Sequence, residues 1–353
     1  MKTVAALFLF TTTLTAQTWS PQAAASYLDT RMEWWSTWSS SQRDHQTFCI
    51  SCHTVLPYAL GRQSLRTALH ESGASPLETT LVANLTKRVR LWNDVEPFYP
   101  DAMRGAGKTL ESRGTEAILN ALALVSNKAP AEDTTLALDN MLALQIATGD
   151  AAGAWPWLQF HNAPWEGDSQ YFGATLAALA IGRAPATWRS QPKVKTAVVS
   201  LRRYLASELA AQTLMDRLFL VWANTIRPDL LTPADQKAIL TEALAKQQSD
   251  GGFSLSHFIG AWRRKDNTPL LTQSDGYATG VVALVLQQTG TPATDKSLSH
   301  SLAWLNSHQD PTDGRWPAWS VNKNRELNSD AGRFMSDAAT AFAVMALTAN
   351  SSY

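Results

Sequence analysis

One string in this chain combines the residue types and spacing of a reactive site: Phe48-Cys49-Ile50-Ser51-Cys52-His53-Thr54. It holds both cysteines of the 353-residue sequence, with a histidine directly after the second. Two thiols at this spacing can form thioethers to the two vinyl carbons of a haem, while the adjacent imidazole reaches the iron. Other chemistries use part of the same string. A Cys-x-x-Cys redox pair wants a strand–helix context, and none is evident here. A plain disulfide explains two cysteines in an exported chain but leaves His53 without a role. Zinc needs further ligands, which only distant histidines could provide.

The rest of the composition bounds what surrounds this string. Lys plus Arg and Asp plus Glu number 30 each, and charged residues make up 17% against 45% hydrophobic. Such a neutral, apolar chain is neither disordered nor a nucleic-acid binder carrying a basic field. Tryptophan is abundant, 14 against 11 Phe and 7 Tyr. Lys2, the apolar stretch Val4 to Phe10 and the small Ala16 read as a secretory signal. Residues 1–16 are therefore expected to be removed and the mature protein to be periplasmic or secreted. No other segment is long and apolar enough to suggest a membrane span.

Internal repetition gives the architecture. Segments 112–122, 167–179, 274–284 and 336–347 each open on Ser, Gly or Asp and become almost wholly small and apolar. Such openings cap free amide groups, and a helix apolar on most faces is buried on most faces. With the more polar segments between them, the pattern predicts helices over 22–39, 54–72, 76–93, 112–127, 132–147, 168–182, 191–207, 209–226, 233–248, 275–289, 295–308 and 335–349. No period-2 strand pattern stands out. Alternating amphipathic and buried helices imply an all-α chain, an α/α toroid of six inner and six outer helices. No linker divides it, so residues 17–353 form a single domain with a haem-binding loop at 45–58.

Loop lengths then place function. Links from outer to inner helices are mostly long (40–53, 94–111, 148–167, 249–274 and 309–334), and the reverse links are mostly short. In an antiparallel ring the long links share one end, and long loops in a compact domain are usually functional. The Cys-x-x-Cys-His string occupies the first of them. A sixth iron ligand would come from the same end, with Met103 preferred over His161, His257, Met335 and His45. Trp155, Trp157, Trp165, Trp262 and Trp319 also fall in these loops, either walling a haem edge or apolar ligand or sealing the barrel end.

Three of the long loops begin with a matching device. Gln309 followed by Gly314-Arg315-Trp316 is the clearest copy, Gln248 followed by Gly251-Gly252-Phe253 the second, and Gln145 followed by Gly153-Ala154-Trp155 a looser third. These resemble the Gln-Trp repeats of squalene–hopene cyclases and related class II terpene cyclases, whose fold is an α/α toroid. The resemblance implies a structural role for Gln145, Gln248, Gln309, Trp155 and Trp316. It does not imply the family's activity. The Asp-x-Asp-Asp acid of the protonating cyclases is missing, and the Asp, Cys and His zinc set of the related prenyltransferases would need cysteines that lie elsewhere. Asp168, Asp275 and Asp337 begin inner helices and Glu166 adjoins the first, so all four are weak catalytic candidates that equally suit helix capping.

The cysteine string resembles that of c-type cytochromes. That resemblance implies Cys49 and Cys52 as attachment points, His53 as proximal ligand and covalent haem c as cofactor. The leading expectation is an exported haem protein that transfers electrons to a redox partner or oxidises an apolar molecule in the central cavity. The alternatives are a non-redox toroid enzyme using carboxylates such as Glu166 and Asp168, and a non-catalytic ligand-binding toroid.

Overall fold

The computed structural model describes residues 18–349; the expected signal segment lies outside the described residues. Helix starts follow local chemistry. Ser20 accepts a hydrogen bond from Ala23 N just before Pro21, and Ser75 forms a reciprocal capping box with Glu78 around Pro76. Thr232 caps the helix that Pro233 opens. Proline suits a first turn because its missing N–H would have no partner there.

Twelve principal helices lie among the described residues: α1 (Pro21–Thr37), α2 (Val55–Gly61), α3 (Pro76–Arg90), α4 (Lys108–Ser126), α5 (Ala131–Ala143), α6 (Tyr171–Arg183), α7 (Pro192–Glu208), α8 (Leu214–Ile226), α9 (Pro233–Leu244), α10 (Gly276–Gln288), α11 (Lys296–Ser307) and α12 (Phe334–Thr348). α2 is shorter than its sequence pattern because a 3-10 turn, Arg62–Leu65, interrupts it before a last helical turn, Arg66–Leu69. A two-residue hairpin, Gln42–Arg43 with Thr47–Phe48, precedes the cysteines. Strands that short leave no readable alternation.

The Ala- and Gly-rich helices α6, α10 and α12 are buried along nearly their whole length. α2 packs on α4, α4 on α6, α6 on α8, α8 on α10, α10 on α12, and α12 on α2. The odd-numbered helices lie against this set: α1 on α2 and α12, α3 and α5 on α4, α7 on α6, α9 on α8, α11 on α10 and α12. Absent side chains make the closest approaches possible. A Cβ on Gly280 would stand 2.8 Å from Ala343 N, and one on Gly61 2.9 Å from the Ala341 Cβ, both in α12. Between the even helices, Phe219 of α8 meets Phe342 of α12 and Phe172 of α6, while Tyr277 of α10 also meets Phe342.

The glutamine device does a specific job. Gln145 Nε2 donates to Gly153 O in its own loop and to Ala197 O in α7, both at 2.9 Å. Gln309 Nε2 donates to Gly314 O at 2.8 Å and to Ser20 O at 3.1 Å, and its Oε1 accepts from Ser20 N at 2.6 Å. Each therefore ties the end of one odd helix to the next odd helix, the last tying α11 back to α1. In the middle copy this work falls to Gln247, not Gln248: Gln247 Nε2 reaches Gly251 O and Ser297 O, whereas Gln248 bonds Thr272 O. Neighbouring positions on a helix point about 100° apart, so only one can face α11. Gly153, Gly251 and Gly314 all have positive φ and press against the next helix at Ser200, His300 and Ala23, where any side chain would collide. Trp155 and Trp316 donate indole N–H groups back to Met141 O and Leu305 O of the preceding helices.

Gly280→Ala should lower stability by about 1–3 kcal/mol, since the added methyl meets α12 backbone that cannot give way. Urea unfolding of the two proteins measures the difference.

Candidate functional site

The cysteine loop is held by its backbone. Asn84 of α3 bonds both Phe48 N and Phe48 O at 2.9 Å, and Cys49 N donates to Ser41 O. Trp35 of α1 donates its indole N–H to Cys49 O at 2.7 Å. Behind the hairpin, the fully buried Arg88 bonds Thr47 Oγ1 and makes a two-pronged ion pair with Glu116 of α4. Ser51, between the two cysteines, accepts hydrogen bonds from Thr54 N and Val55 N and so caps α2.

Cys49 and Cys52 are buried free thiols. Burial pushes the Cys49 thiol up to about 11 and Cys52 well above the ordinary range. Neither has the depressed pKa that makes a redox-pair cysteine nucleophilic. His53 is packed on three sides by aromatic rings. Phe334 stacks on it at 3.9 Å, Trp35 meets it edge-on at 5.1 Å and Trp165 lies at 5.8 Å. Burial pushes the imidazole down to about 3, with Arg31 and Arg325 adding to the effect, so the ring is neutral. Its Nδ1 lies 2.9 Å from the Thr54 hydroxyl.

Beside Cys49 opens a cavity of about 700 Å³. Trp35 of α1 and Trp38, which caps its C-terminus, line it on the helix side, Phe98 and Tyr99 come from the loop 91–107, and Met103 belongs to its lining. Arg43 and Arg104 line it too, each with its guanidinium against the Tyr99 ring at 5.9 and 5.4 Å. His53 is not in the wall, but Trp35 belongs to both places. Met103 is 73% exposed, an unusual state for a thioether without a partner.

The other anticipated ligands are placed elsewhere. His161 pairs with the Asp168 carboxylate at 2.8 Å and stacks on Trp262, on a second cleft that Asp168, Trp262 and Asp216 help to line. His45 is exposed at the hairpin tip near Asp44, His257 is exposed in a 3-10 turn, and Met335 is buried in α12. Trp155 and Trp157 are fully buried and Trp319 is partly exposed, while Trp165 alone of the five reaches His53.

The four carboxylates share no common partner. Asp168 does not begin α6, which starts at Tyr171; it is exposed, and Asn162 and Glu166 pair their backbones just before it. Asp275 caps α10, accepting from Tyr277 N, Ala278 N and Leu255 N. Asp337 lies within the first turn of α12, met by Tyr27, Arg31 and Thr54. Burial pushes its pKa up, opposed chiefly by Arg31. Glu166 faces the Asn162 amide, and burial pushes its pKa up to about 7.

A scan against protein-family models finds no match for this chain, and neither does a search of curated proteins. The site therefore stands on its own geometry. Among the described residues, no three His, Cys, Asp or Glu side chains come together to hold a bare metal ion. No helix among them is long and apolar enough to cross a membrane. Sequence reasoning missed most of the cavity wall. The run Trp34-Trp35 with Trp38, one turn later on a single helix, and the string Pro97-Phe98-Tyr99-Pro100 were the available signals.

Glu166 titrates near 4.5 when unconstrained and near 7 in the fold. The folded state thus binds its proton more tightly, and its contribution to stability is lost as pH rises from about 4.5 through 7. Glu166→Gln should flatten the pH dependence of the melting temperature across that window.

Proposed function

We propose that this chain is an exported c-type haem protein built on an α/α toroid like that of the terpene cyclases. Cys49 and Cys52 are its attachment points and His53 its proximal iron ligand. The toroid is supported by the contact series of even helices that ends where it began, and by the Gln309–Ser20 tie between the last and first odd helices. Six even helices make the inner ring and six odd helices the outer. The long loops after the odd helices engage one another at one end: Lys265 bonds Phe160 O, Asn322 bonds Ala163 O, and Glu96 bonds Asp44.

The observation that carries the functional reading is the cavity of about 700 Å³ directly beside Cys49. A haem brings four nitrogen ligands of its own, so one histidine and two thiols suffice where a bare ion would need a larger protein set. The loop carries that set of donors, of which Cys49 lines the cavity while Cys52 and His53 stand next to it in the chain. Trp35, Trp38, Phe98 and Tyr99 offer flat apolar walls, and Arg43 and Arg104 offer positive charge to two carboxylate side arms. Met103 is the one thioether in the lining and the sixth ligand of choice.

A bound haem would supply a one-electron couple; the chain would hold it, exclude water from one face and set its potential. Electron transfer to a partner protein is favoured over oxidation of an apolar ligand enclosed between inner helices. There, Phe219, Phe342 and Phe172 already touch across helices that are not all neighbours. Export follows from the same chemistry, because covalent attachment takes place outside the bacterial cytoplasm.

The test is expression with a bacterial haem-attachment system, followed by an absorption spectrum of the denatured, reduced protein. A haem band should persist through denaturation and vanish in the Cys49→Ala, Cys52→Ala double variant. A colourless wild-type protein overturns the reading, and a Cys49–Cys52 disulfide found by thiol titration would replace it with the redox or structural alternative. In the loaded protein, Met103→Ala should lower the midpoint potential and open the iron to carbon monoxide; unchanged values would place the sixth ligand elsewhere.

A further inference from the structure

Thr54 is the N-cap residue of α2, yet its hydroxyl makes no bond to its own helix. Ser51 does that work instead. The freed hydroxyl lies 2.7 Å from Asp337 Oδ2 and 2.9 Å from His53 Nδ1. Asp337 is almost wholly buried, as are the groups around it. Its Oδ1 accepts from Tyr27 OH at 2.8 Å and from Arg31 Nε at 2.9 Å. Arg31 is held in turn by the side chain and carbonyl of Asp330. A carboxylate paired with a guanidinium accepts and does not donate. The single Thr54 proton is therefore committed to Asp337, and its oxygen is left to accept. Its partner at His53 must then be an N–H.

We infer that Thr54 is a positioning residue, anchored by Asp337, that holds His53 as the Nδ1–H tautomer and leaves Nε2 as the bare donor nitrogen. This inference takes its purpose from the haem reading above, but the tautomer exists without haem. The stacking of Phe334 on the ring face leaves the in-plane direction of Nε2 clear of that contact, and Nε2 has no hydrogen-bond partner among the described residues. A ligating histidine whose other nitrogen donates a hydrogen bond is fixed in orientation and made a stronger donor. Here the acceptor is a threonine polarised by a buried carboxylate, so α1, α2 and α12 jointly set the ligand.

The experiment has two arms. In the first, ¹⁵N NMR of histidine-labelled, haem-free protein reads the tautomer, with His53 assigned by its loss in His53→Asn. The wild type should show protonated Nδ1 and bare Nε2. Thr54→Val should shift the ring toward the Nε2–H form that an unconstrained neutral histidine side chain prefers, and Thr54→Ser should restore the wild-type signals. A wild-type Nε2–H ring, or signals unmoved in a folded Thr54→Val, overturns the inference. In the second arm, haem-loaded Thr54→Val should have a higher midpoint potential than wild type, with Thr54→Ser returning it. An unchanged potential also overturns it. Failure of the wild type to take up haem removes the functional reading alone, and the NMR arm still decides this one.

Discussion

A charge buried away from water must be met by its surroundings, and in this protein the decisive case is Asp337. Leaving a carboxylate unpaired in an apolar interior costs several kcal/mol. Asp337 is met by Tyr27 and Arg31 from α1 and by Thr54 from the start of α2. Those partners all lie near the start of the chain and Asp337 near its end, so satisfying one side chain forces the first two helices onto the last. The same contact anchors Thr54, just ahead of α2, against α12, and His53 stands one residue earlier. Packing and chemistry share a single constraint here.

A second set of constraints spaces the odd helices. Gln145, Gln247 and Gln309 each bridge a loop glycine and the next odd helix, and the glycines press so closely that a side chain would collide. The bonds satisfy carbonyl groups that the helix ends and turns would otherwise leave without partners. The device recurs at three junctions, α5 with α7, α9 with α11 and α11 with α1. The last tie lands on Ser20 and joins the end of α11 to the start of α1.

The cavity beside Cys49 is assembled from parts that do not resemble one another. α1 and its C-cap contribute one indole each, the hairpin an arginine, and the loop 91–107 two aromatic rings, a methionine and a second arginine. Arg88 holds this assembly from behind, bonding the hairpin, the Glu96 carbonyl and Glu116 of α4 together. It is fully buried and gives up its hydration for these partners.

The order of helices was legible in the sequence because Ala- and Gly-rich segments must be buried, although of the residues expected to cap those segments only Asp275 does so. The Cys-x-x-Cys-His string was legible because its three side chains are near neighbours in the sequence. Three assignments depended on geometry that spacing does not contain. Gln247 and not Gln248 faces α11, a matter of helical rotation. Asp168 looks like a cap but stands in a loop ahead of Tyr171, where it pairs with His161. Asp337 looks like a cap and is instead a junction of three helices. The walls of the cavity likewise come from residues 35 to 104, brought together only by packing. Local chemistry sets the periodicity, the caps and the reactive string, all of which involve near neighbours in the chain. Which buried charge meets which donor, and which loop faces which cysteine, are contacts between distant residues, and only the tertiary structure decides them.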